Sequence, residues 1–124
     1  MTTTGLLLFA HGARDARWAE PFEAVAQRVA ARRPDAHVRL AFLEFMAPDL
    51  RQAASDLAAA GCTRVDVVPL FLGAGGHVRK DLPALLESLA VDHPQVRWRL
   101  RPAVGEHPHV IAAMADAAVA VLGE

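Results

Sequence analysis

Four short apolar runs alternate with four stretches whose apolar residues recur at helical spacing, and this alternation limits the fold more than any other feature of the chain. The first run, Gly5 to Ala10 (GLLLFA), is continuous, as expected of a strand buried on both faces. Phe22, Val25, Ala26, Val29 and Ala30 then fall at i, i+3, i+4, i+7 and i+8, one face of a helix that stops at the ARRP segment. His37 to Leu43 (HVRLAFL) reads as a second strand. Leu50, Ala53, Ala54, Leu57 and Ala58 repeat the helical spacing, with Gly61 as its terminator. Arg64 to Leu72 (RVDVVPLFL) is a third strand whose hydrogen-bond ladder should stop near Pro69, because proline has no N–H to donate. Leu82, Leu85, Leu86, Leu89 and Ala90 mark a third helix, Gln95 to Leu100 (QVRWRL) a half-exposed edge strand, and Pro108 to Leu122 a fourth helix.

Strands that alternate with helices form parallel sheets, since each crossover must return the chain to the same edge. The order βαβαβαβα predicts an α/β, flavodoxin-like domain over residues 1–124. Its four-stranded parallel sheet is expected in the order 2-1-3-4, with helices on both faces. With 53% hydrophobic residues, a core forms without covalent staples, and the lone Cys62 excludes an internal disulfide framework, which fits a reducing cytoplasm. A net charge of −1 gives no field to draw nucleic acid or an anionic membrane. The N-terminal apolar run is far shorter than the roughly 18 residues of a membrane span, and no targeting segment is expected. Together these features predict a cytoplasmic protein that binds neither.

In a parallel sheet every strand-to-helix loop lies on one edge, where α/β folds bind ligands. The sequence sends His11 there after strand 1, Glu44 after strand 2, His77 after strand 3, and Glu106, His107 and His109 after strand 4; His37 and His93 fall at the opposite edge. In the order 2-1-3-4, Glu44, His11 and His77 occupy neighbouring strand ends. Two imidazoles and a carboxylate bind divalent transition metals and also accept protons near neutral pH. Glu44 stands out because Leu43 and Phe45 flank it with apolar bulk. Gly73, Gly75 and Gly76 precede His77 and are expected to take positive φ and to leave room for a bulky ligand. Arg14, Arg17, Arg79 and Lys80 cluster beside the two histidines; such residues are more often solvent charges, but an anionic substrate would explain the cluster. His107 and His109 read as a solvated turn at a helix start. Other readings fit less well. AHGAR resembles the histidine loop of phosphoglycerate-mutase-type phosphatases, but Ala10 stands where an arginine is needed. No GxSxG elbow accompanies the HG pair, and GAGG matches neither the dinucleotide nor the Walker pattern, which leaves a flavin or nucleotide binder a poorer fit.

The segments LLLFAHGARD, FLEFMAPDL and VVPLFLGAGGHVRKDLP, in that order, resemble the short form of the sirohydrochlorin chelatase family, the class II chelatases CbiX and SirB, and the resemblance spans nearly the whole chain. Ala13 stands where many members carry serine, beside His11 and not at a ligand position. The resemblance implies insertion of a divalent metal (commonly cobalt or iron, nickel in related short forms) into sirohydrochlorin, with no cofactor beyond that substrate metal. It places the family histidines at His11 and His77 and the acidic strand-end residue at Glu44. It further implies that Arg14, Arg79 and Lys80 meet substrate carboxylates while Gly73, Gly75 and Gly76 make room for a flat macrocycle. A carrier that holds metal or tetrapyrrole without inserting would need the same residues. Longer relatives fuse two such domains, so a short chain is expected to pair with itself. The fourth helix agrees: between Val110 and Leu122 only Asp116 is charged, so one side is expected to pack on the sheet and another on a second subunit.

Overall fold

The computed structural model describes residues 2–73 and 75–123, with the side chains of residues 76–79 outside the description. Its strands are β1 (Thr4–Ala10), β2 (His37–Phe42), β3 (Arg64–Pro69) and β4 (Arg97–Leu100), and its helices are α1 (Glu20–Arg32), α2 (Leu50–Ala59), α3 (Gly76–Asp92) and α4 (Pro108–Val121). Short 3-10 turns, Ala16–Ala19 and Val104–Glu106, precede α1 and α4. All pairings are parallel and the sheet order is β2-β1-β3-β4, as the alternation predicts. β3 ends at Pro69, where the missing N–H stops the regular ladder. Gly61 ends α2 in the left-handed conformation, φ 90°, and the Asp49 carboxylate caps its start by accepting from the Gln52 N–H at 2.9 Å.

The period-2 alternation of the strands sorts the core into two layers. Leu7, Phe9, Ala41, Val65 and Val67 face α2 and α3, where they pack with Leu50, Ala53, Ala54, Leu57, Leu82, Leu86 and Leu89. Ala10, Leu40 and Phe42 face the other way, onto Trp18 and Ala19 of the 3-10 turn before α1 and Phe22 at the start of α1. Completely buried residues such as Leu7 and Leu57 each contribute about 1.5–3 kcal/mol by leaving water. On α1 the expected apolar face is only partly covered: Phe22, Ala26 and Val29 are half-buried, while Val25 and Ala30 are exposed.

Two helices differ from the expectation. The third apolar set marks only the later part of its helix, because α3 starts six residues earlier, at Gly76, and carries Pro83 inside it. Gly76, His77, Arg79 and Lys80 therefore lie on the first turns of a helix, not on a free loop. The second correction concerns α4. It packs on the 3-10 turn that precedes it and on no strand to a comparable extent, and every residue from Ile111 to Gly123 is exposed. The register supplies the reason. On the α1 face of the sheet, β3 and β4 present Arg64, Asp66, Arg97 and Arg99, with Asp66 and Arg99 paired at 2.7 Å. An apolar helix laid there would strand those charges away from water. Among the described residues no helix is long and apolar enough to cross a membrane.

Candidate functional site

The β1 and β2 ends meet because their pairing continues past both strands. Leu43 donates its N–H to the Ala10 carbonyl at 2.9 Å, and Glu44 donates to the His11 carbonyl at 3.1 Å. This registration sets the two side chains beside each other, with His11 Nε2 3.1 Å from Glu44 Oε1. Both are about half exposed, 52% and 50%. Gly12 makes the approach possible. Its φ is 92°, and a Cβ there would lie 1.9 Å from the Glu44 carbonyl oxygen. Only glycine accommodates both the conformation and the contact. Behind His11 the Phe71 ring stands edge-on at 6.2 Å.

On the other side of His11, an open cleft of about 420 Å³ is lined by His11, Trp18, Phe22, Phe71, Leu72 and Gly73, among others. Apart from His11 and two glycines, its described lining is aromatic or aliphatic. Leu72 is held by Gly105, whose Cβ position lies 1.8 Å from the Leu72 carbonyl oxygen. A second cleft of about 440 Å³, between α1 and the loop after β2, has Glu23 as its one titratable lining residue among those described.

Chemically, the His11–Glu44 pair has two uses. The carboxylate can accept a hydrogen bond from Nε2–H, which leaves Nδ1 with a lone pair for a metal or a proton. Alternatively, both atoms can bind one ion. At metal–ligand distances of about 2.1 Å, a separation of 3.1 Å subtends about 95°, suited to adjacent coordination positions. Among the described residues no cluster of three metal-binding side chains forms. The His77 backbone lies in the first turn of α3; its side chain and that of Arg79 fall outside the described residues.

The other expected site residues divide. Gly73 and Gly75 keep open space around them, with no atom within 4 Å of an added Cβ, but neither has a left-handed φ. The positive φ expected of this loop occurs at Gly12 instead. The described backbone places Gly76 in α3, and its surroundings lie outside the description. Arg14 lies over the Phe45 ring, 4.8 Å from its centroid. Arg17 is turned to Asp15, at 3.1 Å, and holds that carboxyl below its usual range. Lys80 is exposed on α3. His107 accepts the His109 N–H through Nδ1 at 3.1 Å and the two rings stack at 5.0 Å, so this pair caps α4 as a solvated turn does. His37 opens β2 and His93 ends α3 at the far edge, where its ring lies against Trp98 at 5.9 Å. Sequence reasoning missed Trp18, Phe22 and Phe71 as cleft walls, and Gly12 and Phe45 as residues with left-handed backbone. An isolated glycine or phenylalanine carries no periodic signal.

The sequence model of the CbiX family matches residues 5–120. A sirohydrochlorin cobaltochelatase from Methanosarcina acetivorans is 34% identical over 82 residues, which cover 66% of this chain and 63% of the relative. The chain thus spans less than two thirds of the length of that relative. A CbiX protein from Marinobacter aquaeolei VT8 superposes with a TM-score of 0.85 at 36% identity, over 97% of this chain and 98% of that one. SirB from Bacillus subtilis subspecies spizizenii, in complex with cobalt, shares the fold: TM-score 0.75, 24% identity, 94% of this chain and 49% of that one.

Proposed function

We propose that this chain, which belongs to the CbiX family, inserts a divalent metal ion into sirohydrochlorin, with cobalt favoured over iron and nickel. The observation that carries the proposal is the His11–Glu44 pair, 3.1 Å apart and half exposed at the carboxyl edge of the sheet beside an aromatic cleft. Insertion replaces two pyrrole N–H bonds with bonds to the metal and releases two protons. The site must therefore hold a partly dehydrated cation and remove protons. A carboxylate-braced imidazole serves both needs. His77, whose backbone lies in the first turn of α3, is the third residue we assign to this chemistry. Arg14, Arg79 and Lys80, with the N-terminal end of α3, suit the carboxylates of the macrocycle. The archaeal relative acts as a cobaltochelatase by name, which supports cobalt. Comparing initial rates with cobalt(II), iron(II) and nickel(II) tests this: cobalt should give the fastest insertion. Rates no higher than those without protein, for every metal, would refute the function.

The proposal makes activity depend on neutral imidazole. Protonated imidazole neither binds metal nor accepts a proton. The insertion rate should therefore fall on acidification, and a rate indifferent to acid would contradict the role given to the histidines.

The protein is further proposed to work as a homodimer. At 100° per residue, Val110, Ile111, Met114, Val121 and Leu122 share one arc of α4, away from Asp116. Ile111 is 53% and Leu122 85% exposed. A helix of this length is marginal by itself in water, and a second copy would cover the arc. Sedimentation at micromolar concentration should show a dimer, and Met114→Asp should shift it to monomer with loss of activity. A monomer that inserts metal at the full rate would defeat the pairing.

A further inference from the structure

Phe45 has two features that stability does not favour. Its φ is 67°, a left-handed conformation that bulky residues hold only at a cost. Its ring is also 57% exposed, although it directly follows Glu44. Glycine or asparagine would satisfy the backbone better. Across the site, Leu72 lines the cleft and is 70% exposed. The order β2-β1-β3 sets these two residues on opposite sides of His11. One face of the Phe45 ring carries the Arg14 guanidinium, 4.8 Å from the ring centroid, a cation–π contact that restricts an otherwise exposed cation.

We propose that Phe45 and Leu72 are the two apolar walls that seat a flat conjugated macrocycle over His11, and that Phe45 also orients Arg14 toward a carboxylate on the macrocycle rim. A planar π system gains contact from an aromatic ring and from aliphatic bulk, while its charged rim is recognised by a guanidinium whose fork is held in place. The inference rests on sirohydrochlorin being the substrate. It adds two specificity residues and a positioning role that metal chemistry alone does not require.

The test is an absorbance titration of the full chain with metal-free sirohydrochlorin, paired with denaturant unfolding of each variant. Phe45→Gly should weaken binding at least ~10-fold while its unfolding midpoint stays equal or rises, because the strain is relieved. Leu72→Ser should weaken binding similarly without loss of stability, and Phe45→Trp, which keeps an aromatic face, should bind like the unaltered chain. Normal binding by Phe45→Gly and Leu72→Ser would overturn the inference alone, as would a midpoint for Phe45→Gly that falls along with affinity. Failure of the unaltered chain to take up sirohydrochlorin would overturn the substrate reading, and this inference with it.

Discussion

Replacing His11 with alanine should lower the rate of metal insertion at least ~100-fold and leave the unfolding midpoint nearly unchanged. The two halves of this expectation have separate grounds. His11 is half exposed, and its side-chain hydrogen bond goes to Glu44, which is half exposed as well. Exposed pairs of this kind add little to stability. Its chemical loss has no substitute among the described residues, where no other histidine approaches Glu44. His77→Ala should match it if the two histidines serve one reaction. Glu44→Gln should keep the hydrogen bond but remove the charge, and so fall between the extremes. Initial rates on purified variants decide the matter, and near-normal turnover by His11→Ala would remove the site from this edge.

Gly12→Ala should damage both stability and activity. Its φ of 92° costs a non-glycine residue about 1–3 kcal/mol. The added Cβ would also sit 1.9 Å from the Glu44 carbonyl oxygen, so the two loops would have to separate. Separation breaks the Glu44 N–H bond to His11 and withdraws the carboxylate from the imidazole. Gly61→Ala is the matched control: its φ is 90°, but no atom lies within 4 Å of the new Cβ. It should show the conformational cost alone and insert metal normally. Gly73→Ala, with open space and no left-handed φ, should be stable. Denaturant midpoints and insertion rates for the three variants test the idea, which fails if Gly12→Ala and Gly61→Ala behave alike in both.

The sheet was readable in the sequence because its signals are local. GLLLFA needs no tertiary information to announce a doubly covered strand, and Pro69 states where the ladder of the third strand ends. Right-handed crossovers leave few strand orders, and the expected 2-1-3-4 brings His11 and Glu44 to adjacent ends. The site's details were less accessible because they depend on contacts between distant segments. GAGG looked like the conformationally special loop by composition, yet the glycine that bears on the pair is Gly12, whose need arises from the Glu44 carbonyl over thirty residues away. Arg17 looked like a substrate cation, but Asp15, two residues before it, engages it locally. Composition showed α4 to be apolar, but not that the sheet face open to it is occupied by Arg64, Arg97 and Arg99. That fact needs the register of β3 on β4. Phe45 is visible in the sequence only as apolar bulk beside Glu44, since its backbone angle and its exposure are set by the fold.

The central claim is that the His11–Glu44 edge performs insertion and does not merely hold metal or macrocycle. A single-turnover experiment addresses it most directly: excess protein, sirohydrochlorin and cobalt(II) are mixed, and the absorbance is followed to completion. Full conversion to the cobalt complex is expected, far faster than without protein and at least ~100-fold slower with His11→Ala. Tight binding of cobalt and sirohydrochlorin with no conversion beyond the protein-free rate would contradict it, and would make the protein a carrier.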